Sequence, residues 1–185
     1  MTEYTLIRSK RKTISVEFKD GKPLVRAPMR MAKRDIDAFV QKHEGWITKH
    51  QRREQEQQAQ LAEVEKLSQA QLDALYLRAR EYIPRRVQYY SGMLGVSCGR
   101  ITIRCQRTRW GSCSTKKNLN FNCLLMLTPH EVIDSVVAHE VCHLREMNHG
   151  KAFYALVLRV CPDYHRWNRW LRDNGRQLLA RVPND

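Results

Sequence analysis

The sequence has no long apolar run, no paired-cysteine motif and few acidic residues, and each absence excludes a class of protein. No stretch approaches the ~20 apolar residues of a membrane-spanning helix, so we expect no membrane span. The N-terminal residues 1–8 lack the apolar stretch of a signal peptide, and we therefore expect a cytoplasmic protein. With 42% hydrophobic and 28% charged residues among 185, the composition is that of a soluble globular protein.

The cysteines and glycines also lack two familiar arrangements. Six cysteines occur, but no two of them form a C-x-x-C pair or a zinc-ribbon spacing. We therefore expect reduced, mostly buried thiols rather than a disulfide framework. The sequence contains no Walker-type glycine loop, which is evidence against a P-loop nucleotide site.

Acidic residues are outnumbered by basic ones, 19 to 33, which gives a formal net charge of +14. The densest basic stretch is 100–117, where six arginine and lysine side chains occur without any acid. Such a surface attracts polyanions or anionic substrates, including nucleic acid. A basic surface that only aids solubility is the alternative interpretation. The sequence does not specify an oligomeric state.

The N-terminal part, residues 1–66, is predicted to contain strands followed by a polar helix. The first thirty residues predict strands, with 13–18 and 24–27 joined by a turn into a β-hairpin. From about Ala32 the apolar spacing is helical, and beyond Lys49 the sequence is almost wholly polar. This polar stretch indicates an exposed helix end or a mobile connector.

The remaining residues alternate between helical and strand-like patterns. A helix is predicted from Leu67 to about Met93, although Pro84 should kink or divide it. Strands are predicted at 101–105 and 120–127. Thr128 is expected to cap the next helix, with Pro129 at its first position. Two further helices are predicted, at 152–160 and from 164 to about 173.

The most informative motif is His139-Glu140-Val141-Cys142-His143. Two imidazoles four residues apart lie on the same face of a helix, so both can bind one zinc ion. Glu140 follows the first ligand, where its carboxylate can act as a general base towards a metal-bound water. Surface histidines on an ordinary helix are the alternative, which the capped apolar context disfavours.

A third histidine, His149, follows His143 at a fixed distance. In an unbroken helix it would lie about 240° around the axis and ~9 Å along it, so the helix must stop before His149 if all three bind one ion. The metzincin pattern has this spacing with glycine in place of Glu146. We expect the helix to end near Asn148, which tolerates the left-handed conformation. The competing third ligands are Asp163, Asp173 and His165.

These residue types predict zinc-dependent hydrolysis. Zinc lowers the pKa of its bound water to about 7, and Glu140 then takes the proton of that water and returns it to the leaving group. A donor besides the metal is needed for the oxyanion. The candidate donors are Arg109, Tyr154, Tyr164 and His165, and the first three are also the candidate substrate-binding residues. Each has packing or surface exposure as its alternative explanation.

The chain resembles the YgjP-like metal-dependent hydrolases, also described as YgjP-like metallopeptidases, which are related to the SprT-like and minimal gluzincin proteins. The similarity is specific over about residues 100–175. It rests on Arg109-Trp110-Gly111-Ser112-Cys113-Ser114, on Val137 to Leu144 around the histidine motif, on Asn148 to Tyr154, and on Cys161-Pro162-Asp163-Tyr164.

This resemblance implies a zincin-like α+β fold in one domain, 1–185, with an active-site helix against a mixed or antiparallel sheet. It also implies that His139, His143 and His149 bind the metal and that Glu140 is the catalytic acid and base. The role of the segment 109–114 stays open, because it could bind substrate, or Trp110 could be core and Gly111 a turn.

Three functions follow as hypotheses. The first is a zinc peptidase acting on peptide or protein substrates. The second is a metal-dependent nucleoside triphosphate (UTP) pyrophosphatase, an activity that the resemblance also implies, in which the basic stretch 100–117 would hold phosphates. The third is a nucleic-acid-associated protein that uses aromatic and basic residues of the last helix, Trp167, Arg169, Trp170 and Arg172, although the spacing of the tryptophans favours packing.

Overall fold

The chain divides into two compact units, Met1–Glu63 and Val64–Asp185, each with its own apolar core. The structure, a computed structural model, describes residues 3–19 and 21–183. Among these residues no helix is both long and apolar enough to cross a bilayer.

The first unit is a small mixed sheet followed by two helices. Its strands are β1 (Thr5–Ser9), β2 (Ser15–Lys19) and β3 (Lys22–Pro28). Strand β3 is central, antiparallel to β2 and parallel to β1. The β2–β3 pair is the expected hairpin, since an apolar and polar alternation on both sides of a turn favours antiparallel pairing.

Two helices, α1 (Lys33–Lys42) and α2 (Glu44–Ala62), complete this unit. His43 separates them with backbone angles of φ −105° and ψ 10°, outside the helical region. Helix α2 buries only Ile47 among its side chains, which agrees with the predicted long polar helix. The core of the unit consists of Val25, Ala27, Ile36, Val40 and Ile47.

The second unit begins with the long helix α3 (Gln69–Leu94). Ser68 and Gln71 form a capping box at its start, so the N–H groups of these two residues are paired. Of the two expected effects of Pro84, a kink or a division, the division does not occur, because the helix continues through the proline. Buried side chains on both sides of the proline offset the lost backbone hydrogen bond.

A second mixed sheet consists of β4 (Ile101–Arg104), β5 (Gly111–Cys113) and β6 (Leu119–Asn122). Strand β6 is central, parallel to β4 and antiparallel to β5. The predicted strand 120–127 is wrong beyond Asn122, where a 3-10 helix spans Cys123–Leu127. The Asn122 side chain accepts the Leu124 N–H at 3.1 Å and so ends the strand in a local turn.

Three more helices follow: α4 (His130–Cys142), α5 (Lys151–Val160) and α6 (Tyr164–Ala180). The predicted Thr128 cap is wrong, since its hydroxyl donates to the Leu125 carbonyl at 2.8 Å and Pro129 precedes the helix. Helix α4 contacts α3, α5, α6 and β5, and most of its side chains are buried. The predicted α+β class, with the motif-bearing helix packed against a mixed sheet, is confirmed.

Candidate metal centre

Three imidazole nitrogens converge at the C-terminal end of α4. His139 lies in the last turn of this helix, His143 caps it, and His149 follows after a short reversal. Nε2 of His139 lies 3.1 Å from Nε2 of His143 and 3.1 Å from Nε2 of His149. The possible ligand atoms of the three residues all lie within 4.8 Å of one another.

The reversal after α4 is tighter than the sequence predicted. The helix ends at Cys142, whose carbonyl accepts the N–H groups of Arg145 and Glu146, both at 3.0 Å. The expected left-handed residue at Asn148 is wrong, because Lys117 is the one non-glycine with positive φ in the described chain. An early helix end therefore makes the metzincin glycine unnecessary at Glu146.

Two partners orient the imidazoles through their other ring nitrogens. Nδ1 of His143 lies 3.0 Å from the carbonyl oxygen of Glu146, which can only accept, so this nitrogen carries the proton. Nδ1 of His139 lies 2.9 Å from the hydroxyl of Tyr164. The Glu146 contact leaves Nε2 of His143 as the acceptor that a metal requires. For His139 the same tautomer results when Nδ1 donates to the Tyr164 hydroxyl oxygen.

The arrangement fits a tetrahedral metal ion. Nitrogen ligands about 2.05 Å from a tetrahedral zinc lie about 3.3 Å apart, close to the observed 3.1 Å. Acceptor nitrogens that face one another at this distance repel unless a cation lies between them. Burial, together with charge on His143 and His149, lowers the pKa of His139 to about 4, which favours the neutral form that binds metal.

Glu140 is a carboxylate with only 7% of its surface exposed, beside this cluster. Burial raises its pKa to about 8, so the site favours the protonated form unless a positive charge is near. A cation held by the three histidines would provide that charge and favour the carboxylate. A buried acid whose protonation depends on a neighbouring cation is a candidate general base.

Two cavities meet at Glu140. One, of about 340 Å³, is lined by the three histidines, Met147 and the strand β5. The other, of about 260 Å³, is lined mainly by apolar groups of α4, α6 and the segment 108–111, including Trp110, Val136 and Leu171. Arg109, Gly111, His139 and Glu140 line both cavities.

Strand β5 lines the histidine cavity, and one of its edges faces away from β6. Trp110 accepts the Asn122 N–H and Ser114 donates to the Asn118 carbonyl, so residues 110, 112 and 114 face β6. The alternation of antiparallel pairing then directs the backbone groups of Gly111 and Cys113 away from β6. Strand β5 is an edge strand. An extended backbone can pair with such an edge.

The other sequence-predicted site residues lie at different distances from the cluster. Arg109 is exposed and lines both cavities, and Tyr164 is buried against His139. The Tyr154 ring lies 6.3 Å from the His149 ring and 6.3 Å from that of His165. None of the alternative third ligands, Asp163, Asp173 and His165, belongs to the His139–His143–His149 cluster in the described chain.

Core packing explains the spacing of the two tryptophans in helix α6. Trp167 and Trp170 are half-buried and pack against the core of the second unit. Arg172 pairs with Asp173, and the guanidinium of Arg166 lies 4.6 Å from the Trp167 ring. These contacts agree with the packing interpretation of the two tryptophans.

Two contributors to the site were not predicted. The Glu146 backbone carbonyl orients His143, and Met147 lines the histidine cavity. A backbone carbonyl leaves no signal in residue types. The segment Gly111–Cys113 is a strand, although its three residues are too few to show an alternating pattern.

The second unit has an α+β fold in which three histidines converge at the end of α4, beside a buried glutamate of the same helix. This combination is typical of a class of metal-binding proteins. Within that class the chain belongs to the YgjP-like, metallopeptidase domain family, which it matches over residues 12–75 and 54–174. This membership confirms the resemblance drawn from the motifs.

Individual similarities are more distant. The chain is 32% identical to the UTP pyrophosphatase of Escherichia coli (strain K12) over 60 residues, 32% of this chain and 36% of that protein. The alignment thus spans about a third of that relative. The metallopeptidase zymogen abylysin of Pyrococcus abyssi matches 51% of this chain and 96% of its own, at 18% identity and a TM-score of 0.46. Jannalysin of Methanocaldococcus jannaschii, also a metallopeptidase zymogen, matches 50% and 97%, at 19% identity and a TM-score of 0.42.

Proposed function

We propose that the protein is a zinc-dependent hydrolase that cleaves peptide bonds, with His139, His143 and His149 as ligands and Glu140 as general base. The observation that carries this proposal is the convergence of three Nε2 atoms beside a buried glutamate. Nitrogen ligands in a three-histidine set suit zinc and leave a coordination position open.

The residues of the chain then have distinct tasks. When bound, a zinc ion makes a water molecule acidic enough to ionise near neutral pH. The Glu140 carboxylate accepts a proton from the attacking water and delivers it to the leaving amine. Tyr164 fixes the ring of His139, and the Glu146 carbonyl fixes that of His143. Arg109, at the border of both cavities, is the proposed donor to the developing oxyanion.

The open edge of β5 supports a peptide as the substrate. Gly111 and Cys113 line the histidine cavity, and pairing of their outward N–H and C=O groups with an extended chain would carry that chain past the cluster. The adjoining 260 Å³ cavity, lined largely by apolar groups, suits a hydrophobic side chain of that peptide. A backbone held beside Glu140 brings its carbonyl carbon within reach of the water.

Nucleoside triphosphate hydrolysis is the second candidate. The relative named UTP pyrophosphatase and the basic stretch 100–117, which includes Arg109, favour it. Triphosphates are commonly bound through magnesium and oxygen ligands, and a three-histidine centre is less usual for them. For this reason we rank the peptidase first.

A paired assay separates the two candidates. Zinc-loaded protein and its Glu140→Gln variant are given a mixed peptide library and a nucleoside triphosphate panel, with products identified by mass spectrometry. We expect the zinc-loaded protein to cleave peptides and the Glu140→Gln variant to cleave them at least about 100-fold more slowly. Glu131→Gln, an exposed glutamate on the same helix, is the matched control and should retain full activity. Pyrophosphate release that depends on Glu140, without peptide cleavage, would replace the peptidase proposal.

The third ligand has a separate test. His149→Ala should bind zinc more than about 100-fold more weakly, since the loss of even an outer partner costs 10–100-fold. His165→Ala is the matched control, because His165 lies outside the cluster and should leave the affinity unchanged. Competition with a zinc chelator measures both. Undiminished affinity in His149→Ala would rule out His149 as a ligand.

A further inference from the structure

The backbone of Gly111 lies very close to the side chain of Glu140, and the proposed chemistry does not explain this close contact. A Cβ atom added to Gly111 would lie 2.7 Å from Cγ, 2.7 Å from Oε1 and 3.0 Å from Cδ of Glu140. Real Cβ atoms essentially never come this close to a neighbour. The backbone of β5 thus lies directly against the carboxylate.

Gly111 is not needed for its backbone conformation. Positive φ angles occur at Gly21 and Gly95 among the described glycines, and Gly111 has none. Any L-residue can adopt the backbone angles found at Gly111. Position 111 therefore requires glycine because a side chain there would occupy the space that is filled by Glu140.

Contacts with Asn122 and with α6 fix the segment 109–111, so it cannot easily move away from Glu140. The Trp110 carbonyl accepts the Asn122 N–H at 2.8 Å. The amide of Asn122 donates to the Arg109 carbonyl at 2.9 Å. On the side of α6, a Cβ added to Gly175 would lie 3.2 Å from Nε1 and Cζ2 of the Trp110 indole. Trp110 and Gly111 are thereby held between α6 and α4.

We propose that Gly111 is a positioning residue for Glu140: its bare backbone forms the wall that sets where the carboxylate lies between the two cavities. This inference rests on the proposed role of Glu140 as general base. It predicts that any side chain at position 111 displaces the carboxylate while the three histidines keep their places. The Trp110-Gly111 pair then serves the catalytic centre through geometry and contributes no reacting atom.

A double-mutant cycle in urea unfolding tests the contact without any substrate. Gly111→Ala should lower the unfolding midpoint in the wild-type background, because the new methyl group overlaps Glu140. In a Glu140→Ala background the overlapping atoms are absent, so the same change should leave the midpoint unaltered. Gly92→Ala, where an added Cβ meets nothing within 4 Å, is the control and should not lower the midpoint in either background.

Turnover and metal content test the consequence for catalysis. Gly111→Ala should reduce kcat by about 100-fold, the cost of roughly 1 Å of misplacement, while KM and zinc stoichiometry stay unchanged. A crystal structure of the variant should show the Glu140 carboxylate displaced and the histidines in place. If Gly111→Ala alone fails to fold, folding of the Gly111→Ala/Glu140→Ala double variant supports the proposal.

Several results would overturn the assignment of Gly111 as a positioning residue. An equal loss of stability in both backgrounds, or failure of both variants to fold, would assign Gly111 to packing with other groups. Unchanged kcat in a folded Gly111→Ala variant would also overturn it. If wild-type protein hydrolyses neither peptides nor nucleotides, the proposed function fails, whereas the unfolding cycle and the crystal structure still decide whether Gly111 places Glu140.

Discussion

The hydroxyl of Tyr164 is the partner of the first histidine of the motif, 2.9 Å from Nδ1. Tyr164→Phe removes this partner and leaves the ring in place. We expect zinc affinity to fall by about 10–100-fold, the usual effect of losing an outer hydrogen bond to a ligand. Tyr154→Phe is the matched control, because the Tyr154 ring lies near His149 without being the hydrogen-bond partner of His139. Equal zinc affinities in the two variants, measured by chelator competition, would contradict this role.

Glu140 gives the metal-free protein a distinctive dependence on pH. Burial raises its pKa from the ordinary 4.5 to about 8, so in this window the folded state holds a proton that the unfolded state has released. The free energy of unfolding therefore falls as the pH rises from 4.5 towards 8. Glu140→Gln lacks this contribution and should gain stability relative to wild type between about pH 5 and pH 8.

Urea unfolding in the presence of a chelator, at about pH 5 and about pH 8, measures the difference in stability between wild type and Glu140→Gln. Glu131→Gln, on the exposed start of the same helix, should show no such change relative to wild type. Parallel stability curves for wild type and Glu140→Gln would contradict the prediction.

At the residue scale, the three histidines that the sequence groups together do converge in the structure, whereas their surroundings were predicted poorly. The spacing of His139 and His143 requires only helical periodicity, which is local. The position of His149 requires a helix end, and the structure puts this end at Cys142 without the expected help of Asn148. The partner Tyr164 comes from another helix, and contacts between distant residues cannot be read from spacing alone.

At the element scale, an ion pair joins α3 to the motif-bearing helix. Nε and Nη2 of Arg86 donate to the two carboxylate oxygens of Asp134 at 2.6 and 2.9 Å, and both side chains are largely buried. We expect Asp134→Ala to lower the free energy of unfolding by about 1.5–3 kcal/mol, since it removes the carboxylate that pairs with the charge of Arg86.

The neighbouring pair of Arg85 and Glu81 provides the control. Both of its side chains are more than 70% exposed, so Arg85→Ala should cost less than about 1 kcal/mol. Urea unfolding compares the two variants. If the two variants lose equal free energy of unfolding, the Arg86–Asp134 pair contributes no more stability than an exposed ion pair.

Elements with strong local signals were predicted close to their observed bounds, and short ones were not. Helix α3 has a capping box and a buried stripe, and it was predicted to within a few residues. The apolar run at 123–127 resembles a strand, but the side chain of Asn122 starts a 3-10 helix there. Parallel pairing of β1 with β3 was not predicted, because such pairing depends on residues far apart in sequence.

At the scale of the whole molecule, the histidine cluster and its supporting contacts lie within Val64–Asp185. The start and the end of this unit meet, since Leu67 donates its N–H to the Arg181 carbonyl at 2.8 Å. A fragment of residues 64–185 should therefore fold and bind zinc. Saturation at about 100 times Kd should add about 2.7 kcal/mol to its stability.

Circular dichroism and thermal melting, with and without a chelator, check this prediction. The same fragment with His139→Ala and His143→Ala should fold but show no zinc-dependent rise in Tm. A fragment that is unfolded with zinc present would show that residues 1–63 are needed for the second unit to fold.

The length of β5 limits which proteins the proposed peptidase can cut. The strand has three residues, and only two of them direct backbone groups away from β6. A substrate would have to present a short extended segment with its own backbone groups unpaired. Folded proteins rarely offer such a segment, because their backbone groups are already bonded. Cleavage of a folded protein would therefore be governed by the equilibrium population of its locally opened state, and marginally stable proteins would be degraded first.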